Sequence, residues 1–471
     1  MLNAHISHQI YAKLSFEATN NQKKIIEKLA AWISDDDFSR IFLLNGYAGT
    51  GKTTIIAAFV AALKELGVKP ILLAPTGRAA KVLSRYAKQD AYTIHKCIYR
   101  ERTTGGYESK FSLDYNRERG AVFIVDEASM LSISSSEDAT FGSGNLLDDL
   151  VQYVRSGKQC RLMLVGDDAQ LPPVGDDFSP ALQPSIVERY GEVEYATMDE
   201  VVRQSVDSGI LFNATMLRCM LENGIYEVPH FDMSYPDFES ISGGELLELL
   251  QDSYDRYGRE DTIVITRSNK RANRYNEGIR RHNLSAEEQI ESGDMLMIVK
   301  NNYHYAERDK EAPMSFVANG DVALLKRIRR FEEFYGFHFV DAVLQFPDYN
   351  DYEMSCKVLL DTLASESPSL TRDESRRLFY EVEKDYEDIT AKSKRIKAIR
   401  ENDHFNAMQV KFAYAVTCHK AQGGQWRRVF VDRCLFGDEP MSKDILRWLY
   451  TAITRATEHV YLVNFDERFF E

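Results

Sequence analysis

Residues 41 to 54 read IFLLNGYAGTGKTT: a short apolar run, a glycine-rich loop, then a helix-forming stretch. The loop carries the spacing G-x-x-x-x-G-K-[ST] on Gly46, Gly51, Lys52 and Thr53. Glycines allow the backbone to curl so that its N–H groups face phosphates, and the helix that follows presents its positive end to them. Lys52 is placed to reach the β- and γ-phosphates, and the Thr53 hydroxyl to coordinate magnesium. Gly46, Gly49, Thr50, Gly51 and Thr54 complete the expected nucleotide cradle. A strand–loop–helix of this kind belongs to an α/β doubly wound layout with a parallel sheet, whose ligands bind at the carboxyl ends of the strands.

Other runs fit that layout. KPILLAP (69 to 75), AVFIVDE (121 to 127) and RLMLVGD (161 to 167) read as buried parallel strands closing on polar residues. TTIIAAFVAALKELG is apolar at helical spacing and stops at Gly67, as a crossover helix with a C-terminal glycine does. DTIVITRSN, MQVKFAYAVT, RRVFVDR and HVYLVNF predict a second parallel sheet. At 471 residues the chain is too long for one core and suits two or three domains. The expected bounds are a first lobe over 1–190, a second over 191–300 and 406–471, and an insertion over 301–405. A smaller insertion over 97–119 places Gly105 and Gly106 at the tip of a hairpin. The inserted segment begins strand-rich (FVANGDVALLKRI, FHFVDAVLQF) and continues as a charged helical run over 363–402, expected to be a solvated helix pair.

Composition narrows the setting. With 44% hydrophobic and 28% charged residues the chain is ordinary for a globular protein. Its amino-terminal stretch lacks the pattern of a secretory signal, and no apolar run is long enough to span a bilayer. The six cysteines are scattered without a C-x-x-C pair, which predicts reduced thiols, no structural zinc and a cytoplasmic setting. A net charge of −14 disfavours a nucleic-acid partner only as a chain total. A local basic groove is what such a partner requires.

The chemistry of the site points to hydrolysis. FIVDEAS delivers Asp126 and Glu127 from the end of a buried strand, one carboxylate for magnesium and one for an attacking water. A kinase would instead need a seat for an acceptor hydroxyl. In LVGDDAQLPPVG, Gln170 follows a strand end; an ordinary strand-loop and a γ-phosphate sensor both fit.

Taken with APTGRAAKVL, YTIHK, VVRQS, AVTCHKAQGGQW and LYTAITRATE, these motifs resemble superfamily 1 helicases, in the 5′-to-3′ branch that includes RecD and Dda. The resemblance runs in order from about residue 16 to 465. It implies two RecA-like lobes, a small hairpin able to act as a wedge, and an SH3-like β-barrel near FVANGDV. It implies ATP and Mg2+ as cofactors, with metal ligation by Thr53 and Asp126, and adds Gln22 as the adenine reader and Gly423 to the nucleotide-binding set. The catalytic set becomes Lys52, Asp126, Glu127, Gln170, Arg203 and Arg455. The two arginines would come from the second lobe to stabilise charge building on the γ-phosphate.

The same resemblance assigns Pro75, Thr76, Arg78, Thr93, His95, Thr417 and His419 to the backbone of a single strand. Hydroxyls, imidazoles and loop amides hold phosphates without reading sequence. The implied function is an ATP-dependent DNA helicase acting on single-stranded DNA and DNA forks, 5′ to 3′, with roles in DNA repair and recombination. The chain is expected to be monomeric, to have no membrane partner, and to begin almost at the motor. An RNA-stimulated ATPase and a non-unwinding nucleic-acid-binding scaffold remain the alternatives; a metabolic kinase leaves the second half unexplained.

Overall fold

The computed structural model describes residues 2–14, 16–102, 110–134, 141–201, 207–309, 311–314, 316–435 and 439–470. In chain order the first strands are β1 (Ile41–Gly46), β2 (Pro70–Ala74), β3 (Ala91–Thr93), β4 (Tyr99–Arg102), β5 (Lys110–Leu113), β6 (Val122–Val125), β7 (Arg161–Gly166) and β8 (Val193–Met198). Six of them form one sheet in the order β3-β2-β6-β7-β1-β8, every pairing parallel. β1, β6 and β7 are buried at every residue. Strands covered on both faces have no polar side to show, which is why they read as unbroken apolar runs.

Helices cover both faces. α1 (Leu2–Tyr11), α2 (Asn20–Ser34), α3 (Lys52–Glu65) and α4 (Gly77–Ala87) lie in chain order before the short α5 (Ile94–Ile98), and α6 (Leu146–Ser156) follows β6. Ile25, Ile26 and Leu29 of α2 pack with Ile55, Ile56 and Phe59 of α3 on one face of the sheet. Leu147, Leu150 and Val154 of α6 pack on the other. α2 starts at a capping box in which Thr19 and Gln22 exchange side-chain and backbone bonds, an arrangement worth about 1 kcal/mol. α3 is terminated beyond Leu66 by Gly67 at φ 72°.

The second lobe contains β9 (Phe238–Ile241) and β10 (Thr262–Thr266). Next come the barrel strands β11 (Met295–Ile298), β12 (Val322–Phe334), β13 (Phe337–Phe346), β14 (Tyr352–Leu359) and β15 (Met408–Phe412). The chain then returns through β16 (Ala415–Thr417), β17 (Trp426–Asp432) and β18 (Ala456–Val463). The second sheet runs β16-β10-β17-β18-β9, again wholly parallel, and β11 to β15 close into a barrel. β4 and β5 pair antiparallel as the small hairpin; its glycine tip, with Gly105 and Gly106, lies outside the described residues.

Three expectations are corrected. VEYATM, assigned beyond residue 190 to the second lobe, is the edge strand β8 of the first sheet, paired with β1 from Ile41↔Val193 to Gly46↔Met198. MQVKFAYAVT is two strands: β15 closes the barrel against β11, and β16 joins the second sheet. The barrel therefore reaches past 301–405 at both ends, from Met295 to Phe412. Nothing in this run of strand-forming residues marks the one at which the chain changes sheets. The charged run holds two helices, Arg372–Lys384 and Lys392–Arg400. Each buries a stripe (Leu378, Phe379, Val382; Ile399) against Phe337, Phe339 and Leu359 of the barrel, so the pair is solvated on one side only.

Candidate functional site

The loop after β1 takes the shape its glycines permit. Gly49 and Gly51 hold φ of 75° and 83°, conformations that side-chain-bearing residues rarely adopt. Gly51 thereby caps α3, and Lys52 begins the helix with its ammonium bonded to the Gly46 carbonyl. Thr50 is buried and its hydroxyl donates to Tyr47 O at 2.8 Å. Thr53 and Thr54 follow in the first turn of α3. Gln22 sits behind this loop, its carboxamide oxygen accepting the Thr19 amide and its Nε2 donating to Thr50 O at 3.0 Å. Both ends of the Gln22 amide are thus engaged by protein.

Asp126 and Glu127 emerge from β6 beside Lys52. Asp126 Oδ1 accepts the Glu127 amide at 2.9 Å. Burial and the adjacent Glu127 carboxylate raise the Asp126 carboxyl above its ordinary range, with Lys52 pulling the other way. A buried carboxylate in that state could hold a cation, with the Thr53 hydroxyl in the first turn of α3 as a second protein oxygen. Glu127 adopts φ 53°, ψ 37°, a left-handed conformation uncommon for a residue with a side chain, which turns the chain directly after the strand.

The second lobe reaches this pair. Arg455 stands between the helix Lys443–Ile453 and β18, only 5% exposed. Its guanidinium donates to Thr451 O at 3.1 Å and to Thr454 Oγ1 at 3.3 Å. So held, Nη1 lies 3.8 Å from Glu127 Oε1 across the lobe boundary. Arg203 lies outside the described residues.

Side chains absent from the sequence-based set tie the lobes more tightly. The buried Tyr450 hydroxyl donates to Asp167 Oδ2 at 2.7 Å and accepts the Ala48 amide at 2.9 Å, joining the phosphate loop, the loop after β7 and the second lobe. Leu171 is gripped on both sides: its N–H donates to Thr451 Oγ1 at 2.9 Å and its carbonyl accepts from Gln422 Nε2 at 2.7 Å. Gln170, 4% exposed, lies between these anchors with its Oε1 buried and without a hydrogen-bond partner among the described residues. Tyr450, Thr451 and Gln422 stand inside motifs visible in the sequence, but nothing there signals that they face the other lobe. A cleft of about 460 Å3 between the lobes is lined by Tyr47, Asp168, Arg218 and Arg447, and not by Lys52, Asp126 or Glu127. It is therefore a neighbour of the nucleotide seat.

The residues expected along a strand are placed differently from one another. Pro75 and Thr76 follow β2, and the Thr76 hydroxyl caps α4 by accepting the Ala79 amide at 3.2 Å. The Arg78 guanidinium stacks 3.9 Å from the centre of the Trp426 ring in the second lobe, and burial lowers its pKa to about 10. Thr93 caps α5 through Lys96 N at 3.2 Å. His95 packs edge-on against Phe141 at 4.8 Å and near Tyr99 at 5.6 Å. Burial lowers its pKa to about 4, so the imidazole is neutral. Thr417 ends β16 and is half-buried, and His419 is exposed on the turn after it. Gly423 lies across the lobe boundary from Thr76 and Ala79.

Comparison with known proteins agrees with this division. Residues 17–218 match the AAA domain family, and residues 412–463 match the UvrD-like helicase C-terminal domain. The ATP-dependent RecD2 DNA helicase of Deinococcus radiodurans is 32% identical over 159 residues, covering 33% of this chain and 18% of that protein. The ATP-dependent DNA helicase dda of Enterobacteria phage T4 is 33% identical over 138 residues, covering 28% of each. The matched stretches thus span less than a third of either relative. Among solved structures, Pif1 helicase from Bacteroides in complex with ADP-AlF3 and single-stranded DNA aligns over 97% of this chain and 95% of its own. Its identity is 14% and its TM-score 0.43.

Proposed function

We propose that this chain, which belongs to the superfamily 1 helicases in the branch that includes RecD and Dda, is an ATP-driven motor that translocates 5′ to 3′ on single-stranded DNA and unwinds the duplex ahead. The observation that carries this reading is the approach of Arg455 to Glu127 across the lobe boundary. An arginine delivered by one lobe to the hydrolytic carboxylate of the other makes hydrolysis conditional on how the lobes are disposed.

Lys52 and the loop amides bind the phosphates. Glu127 orients water and accepts its proton, and Arg455 stabilises charge on the departing phosphoryl group. Thr53 and Asp126 would hold magnesium, which would supply charge neutralisation at the phosphates. Glu127 and Arg455 face each other across the lobe boundary, where the guanidinium would engage a γ-phosphate and the carboxylate would be left to orient water. Gln170, between segments pinned by Tyr450 and Thr451, is the residue through which loss of that phosphate is felt. Thr76, Thr93, Thr417 and His419 hold the backbone of the strand.

The hairpin supports a wedge role. Phe111 on β5 packs 5.0 Å from Tyr303, which stacks 4.7 Å from Phe316 in the segment between the barrel strands β11 and β12. A wedge needs such bracing to part base pairs as the motor advances.

The test is ATP turnover with and without single-stranded DNA or RNA. Strong stimulation by DNA is expected; stimulation by RNA alone would move the assignment to an RNA motor, and none by either polymer would defeat the motor reading. Forked substrates with only a 5′ or only a 3′ tail then measure direction, and unwinding confined to 3′ tails reverses the polarity.

A further inference from the structure

The amino end of α4 is covered by a carboxylate from the barrel. Asp321 closes the turn Ala318–Asp321 that leads into β12 and is 1% exposed. Its Oδ2 accepts the Ala318 amide at 2.8 Å and the Tyr349 hydroxyl at 3.1 Å. Its Oδ1 has no hydrogen-bond partner among the described residues. That oxygen points at Gly77, the first residue of α4: a Cβ there would lie 2.5 Å from Oδ1 and 3.3 Å from the Ala318 side chain. Only glycine admits the carboxylate so close.

One turn along the same face, the Lys81 ammonium sits 3.8 Å from the Tyr349 ring centre and 3.3 Å from Asp348 Oδ2. It too is buried without a hydrogen bond. Residues four apart share a helix face, so Gly77 and Lys81 form one surface of the first lobe and Asp321, Asp348 and Tyr349 form its counterpart on the barrel.

The first turn of a helix leaves N–H groups without intrahelical partners and carries partial positive charge, which favours an anion. Thr76, the cap of this helix, belongs to the segment assigned to the strand's phosphates. A buried carboxylate oxygen lacking a hydrogen bond is costly, and here the helix end and Lys81 offset that cost without satisfying the oxygen. A phosphodiester carries the same charge and brings acceptor oxygens that could bond the helix-end N–H groups, which Asp321 Oδ1 approaches without bonding.

We propose that Asp321 occupies, in the strand-free protein, the seat on the amino end of α4 that a phosphodiester of the bound strand takes, so that strand binding and the barrel–lobe contact exclude one another. This rests on the proposed track-holding role of the Thr76 segment. It makes Lys81 a further phosphate ligand and the barrel a gate over the track.

The experiment is fluorescence anisotropy of a labelled oligo-dT with the full chain. Its arms are the wild type, Asp321→Asn, and the double variant Lys81→Cys/Asp348→Cys before and after linking with a bis-maleimide, the link being verified by mass spectrometry. Asp321→Asn is expected to lower Kd at least about fivefold, the scale of an anion at a helix end. Linking α4 to the barrel is expected to raise Kd about tenfold or more over the same protein unlinked. An unchanged or higher Kd for a natively melting Asp321→Asn, or equal binding by linked and unlinked protein, overturns the gate. Should Asp321→Asn fail to fold, the linked pair decides alone. Binding by none of these proteins defeats the track-holding reading itself, whereas tight binding by the wild type with no response to the link defeats only the gate.

Discussion

The nucleotide face and the strand face of the first lobe are made from the carboxyl ends of the same sheet, yet their side chains are committed to different degrees. Around Lys52, Asp126 and Glu127 the functional groups converge, and Arg455 already stands 3.8 Å from Glu127. Along the strand face four of the seven expected residues are occupied elsewhere. Thr76 and Thr93 cap helices, Arg78 lies on Trp426, His95 is enclosed by aromatic rings, and Asp321 covers the end of α4. A nucleotide therefore meets a site needing small adjustments. On the proposed reading a strand would meet one that must exchange internal contacts for new ones, and that exchange would give a motor a way to couple its two ligands.

Breaking the nucleotide face should have the largest effect. Lys52→Ala is expected to abolish ATP turnover while strand binding persists, and substantial residual hydrolysis would show that the seat is misread. Arg455→Ala is expected to slow turnover by about 10³-fold with nucleotide affinity largely kept, as seen in a kcat change without a matching KM change.

The seam between the faces comes next. Tyr450→Phe removes the donor to Asp167 Oδ2, while Oδ1 keeps the Ala169 amide, and strips the Ala48 amide of its acceptor; it should lower stability in urea unfolding by about 1–3 kcal/mol, with a loss of strand-stimulated turnover. Unchanged values in both would detach Tyr450 from the coupling. On the strand face the effects are smaller. Trp426→Leu removes the platform beneath Arg78, and strand affinity is expected to rise by about two- to fivefold if the released guanidinium takes a phosphate; a fall would assign Arg78 to the lobe interface alone.

The smallest effect concerns His95. Its folded pKa, near 4, lies below the ordinary 6.5, so the unfolded chain takes up the proton first as pH falls. Stability should decline between about pH 6.5 and 4, and His95→Phe should flatten that part of the profile of Tm against pH. An identical profile in the variant would assign the decline to other groups.

What could be read in advance follows from range. The loop from Gly46 to Thr53 and the strand that leads into Asp126 are local patterns of a few residues, and each is found as a local structure. The division of 408–417 between the barrel and the second sheet was illegible, because the bend at Ala413 and Tyr414 carries no glycine or proline. The edge strand Val193–Met198 was likewise misassigned, since its alternation suits either sheet. Arg78 shows the same limit within the site. An arginine beside a phosphate-binding segment reads as a phosphate ligand until the fold brings Trp426 beneath it.

The sequence by itself determined that a G-x-x-x-x-G-K-[ST] loop after a strand, an Asp-Glu pair at the end of a buried strand and a second parallel sheet are present, because their signals are backbone periodicity and motif spacing within a dozen residues. Only the tertiary structure decided which groups meet. Tyr450 bonds Asp167 from 283 positions away and Ala48 from 402, and Asp321 reaches Gly77 from a barrel inserted in the other lobe. Contacts at such separations depend on how whole layers pack, and no local pattern encodes them.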